Sequence, residues 1–203
     1  MTKSKPIEAW HFLRADRCLN YKHGNRREGR VEVKAGTTLR AKASDLKLCY
    51  YGLHASVRAI DALKYAPGCV ISRVLCSGTV ITSDDKLVCS QRKVLWLADA
   101  TNTLHEFACR IAEQALAKVG SPDPRSLKAI EVKRAWVKGE ATDADLSAAR
   151  DAARDAARGA DLSAARDAAR DAARGAAWDA ALAAAGDAAN TQLESMLRSI
   201  PNL

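Results

Sequence analysis

Residues 144–159 read ADLSAARDAARDAARG, and residues 160–175 repeat this sequence letter for letter. The unit inside each copy is Arg-Asp-Ala-Ala, and alanine is the strongest helix former. Because the unit has four residues and an α-helix turns every 3.6, the alanine stripe drifts by about 40° per unit. The tract therefore either supercoils with a partner helix or is divided by Gly159, Gly175 and Gly186 into shorter helices that pack together. In both cases it supplies packing surface, and ligand chemistry is expected in the first 120 residues.

The sequence predicts an α+β fold, with a small mixed β-sheet head at residues 1–120 and an Ala-rich α-helical region at residues 125–203. Short runs rich in β-branched and aromatic residues predict strands in the head, among them residues 9–13, 69–75 and 93–97. A Ser-Pro-Asp-Pro sequence marks the boundary between the two regions. The helical region is expected to pack subunits together.

Apolar residues at helical spacing predict further helices at residues 57–65, 103–119 and 126–138. The end of the chain, residues 192–200, is a short amphipathic segment. Its apolar face is suited to docking on a core or on a partner.

The charges of the chain are unevenly distributed. Residues 1–139 contain 25 Lys and Arg against 13 Asp and Glu, a net charge of +12, whereas residues 140–203 contain 7 Arg against 11 Asp and Glu, a net charge of −4. The positive charge of the head is suited to binding a small anionic ligand such as a nucleotide. The alternative is that this charge serves only to keep the protein soluble. The opposite charges also favour attraction between the two parts, within one chain or in a homo-oligomer. The basic residues are not interleaved with the aromatic motif of a known module, so nucleic acid is not an expected partner.

The cysteines and the apolar runs bear on metal binding and location. All six cysteines lie in the first 110 residues, and no pair has Cys-x-x-Cys spacing, so no metal site is expected. The sequence MTKSKPIEAW lacks the apolar core of a signal peptide, and no run approaches the roughly 18 apolar residues of a membrane span. We therefore expect reduced thiols in a cytoplasmic protein without a membrane partner.

The densest group of residues suited to a ligand is YYGLHAS, at a predicted strand-to-helix turn. Tyr51 offers a stacking face, His54 and Ser56 offer hydrogen bonds, and Tyr65 ends the following helix. The alternative is a structural turn around one buried histidine. Cys49 lies near His54 in the sequence, so a thiol–imidazole pair is a further alternative.

Residues 9–90 resemble the central part of ADP-ribosyltransferase-like folds. The carriers of the resemblance are GLHAS, a short helix ending near Tyr65, and the strand VISRVLCSG. The resemblance implies that His11 corresponds to the ribose-binding histidine of the family, with NAD as cofactor. It also implies that Asp85, in the segment DKLV, corresponds to the glutamate of the family's Glu-x-Ile/Val-Val segment. Two features depart from the family pattern: Asp85 replaces glutamate, and Phe-Leu follows His11 where the family has Gly-Thr.

The chain also resembles an uncharacterised group of bacteriophage and prophage proteins. That group shares GLHAS, DAL followed by YAPG, the segments DKLV and VLW, and an Ala/Arg/Asp-rich tail. The resemblance spans most of the chain. It implies a viral or prophage origin and a place in the bacterial host cytoplasm, without an established activity.

Three functions follow as hypotheses. The first is a non-enzymatic, phage-type accessory protein that binds or sequesters a small anionic, nucleotide-like ligand, such as a host immune signal, and assembles through its Ala-rich helices. The ligand-binding residues expected in the head are His11, Tyr51, His54, Ser56, Tyr65 and Asp85. The second hypothesis is a mono-ADP-ribosyltransferase that uses NAD with His11 and Asp85, and the third is a structural or host-interaction protein. Because position 85 has aspartate where the family has glutamate, we favour a binding protein over an enzyme. For a binding protein no cofactor is expected.

Overall fold

The computed structural model describes residues 5–23, 26–118, 122–159 and 176–201. This part of the chain contains both a β-sheet and α-helices, which confirms the α+β class. The strands are β1 Ile7–Leu13, β2 Cys18–His23, β3 Arg26–Glu32, β4 Thr38–Arg40, β5 Leu53–Ala55, β6 Val70–Thr82 and β7 Leu87–Asp99. The helices are α1 Ala59–Lys64, α2 Thr101–Leu116, α3 Pro124–Val137, α4 Asp143–Gly159 and α5 Ala176–Arg198, with a short 3-10 helix at Ala43–Asp45.

The long hairpin of β6 and β7 is the centre of a five-stranded sheet. Strand β1 pairs with β6, and both β4 and β5 pair with β7. The backbones of Trp10 and Ser56 exchange two hydrogen bonds, of 2.7 and 3.0 Å, so the segment after β5 returns to β1. Strands β1, β6, β7 and β5 are thereby joined into a closed ring.

All strand pairs among the described residues are antiparallel, including the separate hairpin of β2 and β3. This corrects the expectation of a mixed sheet. Parallel neighbours need a crossover of a dozen or more residues, usually through a helix. The only α-helix between strands in this part of the chain is α1, which has six residues.

A single cluster of buried apolar side chains forms the core of the sheet. In β1 it takes alternate residues, Ala9 and Leu13, as expected for a strand whose side chains point to opposite faces. Trp10 and Phe12, which alternate with them, are also buried. The end of α5 lies at that second group, where the guanidinium of Arg198 is 5.4 Å from the centre of the Trp10 ring.

The chain divides into two compact units, and the division differs from the one expected at residue 120. The first unit comprises Met1–Thr101 and Asn190–Leu203, and the second comprises Asn102–Ala189. The last turns of α5 belong to the first unit because the side chains of Leu193 and Leu197 are fully buried there. Burial of a leucine side chain stabilises a fold by about 1.5–3 kcal/mol, which explains why the amphipathic end of the chain docks on the head.

The second unit is held together by packing of α3 against α4 and by a charged network. Asp123 caps α3 by accepting a hydrogen bond of 2.8 Å from the N–H of Arg125. Arg134 of α3 donates to Glu106 and Glu113 of α2, with 2.9 Å from Nε to Glu106 and 2.9 Å from Nη2 to Glu113. The guanidinium therefore ties α2 to α3.

The first copy of the repeat forms α4, which confirms the predicted helix. The second copy, residues 160–175, lies outside the described residues, so the choice between a supercoil and a division at Gly159 and Gly175 stays a prediction. Gly186 does not divide the chain, because α5 runs through it from Ala176 to Arg198. None of the helices in the described ranges is both long and apolar enough to cross a membrane.

Candidate functional site

A cavity of about 500 Å³ lies in the first unit beside β1. Its walls come from consecutive residues of β1, from the start of β2, from β5 and α1, and from the turn before β7. The lining residues are Trp10, His11, Phe12, Leu13, Arg14, Cys18, Leu19, Cys49, His54, Ala55, Ser56, Ala62, Tyr65, Pro67 and Lys86. Small-molecule sites typically have about 300–1,000 Å³ and combine apolar walls with a few polar groups, as this cavity does.

The turn that leads into β5 positions one side of the cavity. Two of its residues have positive φ, Cys49 at 67° and Gly52 at 119°. A Cβ at Gly52 would overlap Cγ2 of Val88 and lie 2.5 Å from Cδ2 of Leu46. Glycine is therefore required here for β5 to approach β7 and to place His54 at the cavity.

His11 lines the cavity from β1 as a neutral ring. The hydroxyl of Ser72 donates to the backbone oxygen of His11 at 2.9 Å and fixes the strand, whereas no described residue forms a hydrogen bond with the imidazole itself. Burial lowers the pKa of His11 well below its ordinary value, and the positive charge of Arg92 and the electrostatic interaction with His54 lower it further. The neutral imidazole offers one donor and one acceptor nitrogen to the cavity.

His54 lines the cavity from β5, with its ring held by the backbone. The N–H of Cys49 donates to Nε2 of His54 at 3.0 Å. Burial lowers the pKa of His54, a backbone hydrogen bond with Gly52 opposes this, and Arg92 and Lys86 lower the pKa again. Because Nε2 accepts a hydrogen bond, we assign the proton of the neutral ring to Nδ1. The ring contacts the backbone of Cys49, so the described residues do not show the thiol–imidazole pair.

Three side chains meet at the mouth of the cavity. The hydroxyl of Tyr65 donates to Oδ2 of Asp85 at 2.6 Å and accepts from Nζ of Lys86 at 2.9 Å. The ammonium of Lys86 also lies 4.4 Å from the centre of the Tyr65 ring. The hydrogen bond with Tyr65 raises the pKa of Lys86, and an interaction with the Cys49 side chain raises it further. Lys86 is therefore a cation at neutral pH.

The charge of the lining is one-sided. Among the described residues that line the cavity there are two cations, Arg14 and Lys86, and no carboxylate. A third cation, Arg92, is only 2% exposed and donates to the carbonyl oxygen of His54. In a partly dehydrated site these charges produce a positive potential that attracts anions.

The structure brings four of the six predicted ligand residues to the cavity: His11, His54, Ser56 and Tyr65. Asp85 contacts Tyr65 but does not line the cavity. Tyr51 does not line it either. Instead the Tyr51 hydroxyl accepts a hydrogen bond of 3.3 Å from the N–H of Lys42. Tyr51 therefore does not offer the expected stacking face to this cavity.

Sequence reasoning missed the two cations that line the cavity and the buried arginine behind them. Lys86 follows Asp85 directly, so its position was available from the same DKLV segment. Arg14 follows the first predicted strand. Arg92 had no usable signal, because an arginine in a strand is usually solvent-exposed.

The position of Asp85 bears on the transferase hypothesis. Transferase chemistry needs a carboxylate that faces the ribose as positive charge develops there. In the structure the Asp85 carboxylate is bound by the Tyr65 hydroxyl, outside the lining of the cavity. The pair of His11 and Asp85 therefore does not meet across the cavity.

No protein-family model, curated protein or solved structure matches this chain. Within the described ranges, no three His, Cys, Asp or Glu side chains are grouped as a metal site.

Proposed function

We propose that the head is a non-enzymatic binding module that holds a small anionic ligand of the nucleotide type in the cavity beside β1. The observation that carries this proposal is the lining: apolar walls, two histidines kept neutral, two cations and, among the described residues, no carboxylate. A ligand that fits this lining has a ring-containing body and a negatively charged group.

The apolar walls supply the favourable free energy for the body of the ligand. Phe12, Leu13, Ala55, Ala62 and Pro67 line the cavity. Removing apolar surface from water contributes about 25 cal/mol for each Å². A purine or pyrimidine ring presents such surface on both faces and hydrogen-bonding atoms on its edge.

The neutral histidines supply orientation. A neutral imidazole donates through one nitrogen and accepts through the other, so it reads the edge of a base or a sugar hydroxyl. His11 has both nitrogens available within the described part of the chain. The cations Lys86 and Arg14 then fix the end at which the negative charge lies.

We further propose a phage-type accessory role in the bacterial cytoplasm, in which the protein sequesters a nucleotide-like host immune signal. The resemblance to phage and prophage proteins supports this role. Assembly of subunits through the Ala-rich helices completes the proposal. It is supported by α4, along which the side chains of Ala144, Ala148, Arg150 and Asp151 are exposed.

The binding proposal is tested by equilibrium dialysis of the full chain against nucleoside mono-, di- and triphosphates and cyclic nucleotides. We expect at least one to bind with a Kd below about 1 mM, roughly −4 kcal/mol. The variant Ala62→Phe fills the cavity from α1 and should abolish binding. The matched control is Ala66→Phe, which adds the same ring four residues later, at a position that does not line the cavity.

A panel in which no nucleotide binds below about 1 mM would overturn the binding proposal. Equal binding by Ala62→Phe and the wild type would show that the ligand lies elsewhere. Assembly is tested separately by light scattering after size-exclusion chromatography. A mass of one chain at every concentration would contradict the homo-oligomer.

A further inference from the structure

The mouth of the cavity contains an anion-binding arrangement that already holds a carboxylate. The donors are the Tyr65 hydroxyl and the Lys86 ammonium, both of which line the cavity. The carboxylate is Asp85, 2.6 Å from the Tyr65 oxygen and 3.9 Å from Nζ of Lys86. Asp85 itself does not line the cavity. The two donors, Tyr65 and Lys86, therefore line the cavity, whereas the acceptor Asp85 contacts them from outside the lining.

We propose that Tyr65 and Lys86 form the subsite for the phosphate group of the ligand, and that Asp85 is an intramolecular competitor which the phosphate displaces. This inference rests on the proposed function, since it assigns the charged end of the ligand bound in the cavity. It also assigns Asp85 a role opposite to that of a catalytic carboxylate: its negative charge weakens ligand binding.

The electrostatics at Asp85 support an oxyanion site. The hydrogen bond from Tyr65 lowers the pKa of Asp85, and Lys86 and Lys64 lower it further. Lys64 lies on α1, and its Nζ is 2.9 Å from Asp61. The surroundings of the Asp85 carboxylate therefore favour negative charge, whichever oxyanion carries it.

A phosphate group is the ligand chemistry that can replace this carboxylate. A phosphomonoester carries more negative charge at neutral pH than one carboxylate and has three acceptor oxygens. One oxygen can take the hydrogen bond from Tyr65 while another accepts from Lys86, because the two donor atoms lie 2.9 Å apart and both are near the Asp85 carboxylate. The geometry of the tyrosine hydroxyl allows this exchange, since its hydrogen rotates toward either acceptor.

The experiment compares adenosine 5′-monophosphate with adenosine, two probes that differ only in the phosphate. Affinities are measured by calorimetry at constant ionic strength for the full-length wild type and for Asp85→Asn, Lys86→Met and Tyr65→Phe. We expect Asp85→Asn to bind the monophosphate about tenfold more tightly, and the other two variants to bind it about tenfold more weakly. Adenosine affinity should change less than twofold in Asp85→Asn, and in Lys86→Met and Tyr65→Phe it should fall less than the monophosphate affinity does.

Asp84→Asn is the matched control. It removes the same charge from the neighbouring residue of the same turn, where the side chain is exposed and does not line the cavity. It should leave the ratio of the two affinities unchanged. Thermal unfolding of each variant shows whether the fold is retained. Phenylalanine is chosen at position 65 because it removes the hydroxyl and keeps the aromatic ring.

A second measurement tests the subsite without the nucleoside. Inorganic phosphate is titrated into Asp85→Asn while the backbone amide of Lys86 is followed by NMR. A saturable shift that is weaker in Lys86→Met supports the inference even if adenosine and its monophosphate both fail to bind. Their failure would count against the proposed function alone.

Three outcomes would overturn the inference. One is an unchanged monophosphate-to-adenosine ratio in Asp85→Asn, which leaves the binding function standing. Another is loss of monophosphate binding in Asp85→Asn, which would make the carboxylate a contributor to the site. The third is a phosphate titration without a saturable shift in Asp85→Asn.

Discussion

Glu194 accepts a hydrogen bond from the backbone N–H of Ala59, with 3.3 Å between Oε1 and the nitrogen. Ala59 is the first residue of α1, and the residue before it supplies no side-chain cap. Asn190, one turn earlier on α5, accepts from the N–H of Ile60 at 3.1 Å. The last helix of the chain therefore caps the short helix that leads to Tyr65 at the cavity.

Removal of this capping should destabilise the first unit. Replacing a capping side chain by alanine costs about 1 kcal/mol, so we expect Glu194→Ala and Asn190→Ala each to lower the free energy of unfolding by about this amount. The measurement is urea denaturation followed by circular dichroism. Ser195→Ala, at an exposed position of the same helix, is the control. Identical midpoints for Glu194→Ala and Ser195→Ala would show that the caps are dispensable.

The stability of the first unit should fall on mild acidification because of His11. Its pKa in the folded protein lies below the unfolded value of about 6.5, so the unfolded chain binds more protons as the pH decreases. The contribution is present above the unfolded value and is lost as the pH falls below it toward the folded pKa. Amide exchange of β6 at pH 7.5 and 5.5 measures the effect.

The control for this pH dependence is a histidine of the other unit. His11→Asn should remove most of the difference between pH 7.5 and 5.5 in β6. His105→Asn should leave that difference unchanged, because His105 lies on α2 in the second unit. Equal protection of wild-type β6 at both pH values would contradict a neutral, half-buried His11.

The class of fold was predictable because local patterns carry it. The β-branched residues of β6 and the alanines of α4 each belong to the residue types that favour the element they form. The grouping of elements was not predictable in the same way. The return of α5 to the head depends on two leucines, Leu193 and Leu197, whose burial requires a surface formed by residues far away in the sequence.

The residues of the candidate site were likewise predictable only in part. His54, Ser56 and Tyr65 were identified because they are close in the sequence and precede or end one short helix. Tyr51 does not line the cavity, and the direction of a side chain next to a positive-φ glycine cannot be read from the sequence pattern. Arg92 was missed because only the tertiary structure shows an arginine that is buried against a histidine carbonyl.

Gly52 should tolerate alanine far less than Gly36. Both have positive φ, which costs a residue with a side chain about 1–2 kcal/mol. Only at Gly52 would the new Cβ meet packed side chains, whereas nothing lies within 4 Å at Gly36. We expect Gly52→Ala to lose a further 1–3 kcal/mol, roughly the cost of overpacking a core. Urea midpoints of the two variants measure the difference, and equal midpoints would contradict the close approach of β5 to β7.

The cysteines should separate into one fast and several protected thiols. Cys49 is exposed at the cavity, whereas Cys76, Cys89 and Cys109 are buried. The hydrogen bond with Cys89, followed by burial, raises the pKa of Cys76 and keeps that thiol protonated and unreactive. With limiting iodoacetamide, mass spectrometry should therefore show Cys49 labelled first and Cys76 and Cys89 labelled only after addition of urea. The variant Cys49→Ser should abolish the fast phase, and Cys69→Ser, at a partly buried position, should retain it. Equally fast labelling of Cys76 or Cys89 in the native protein would contradict the packing of the β6–β7 hairpin.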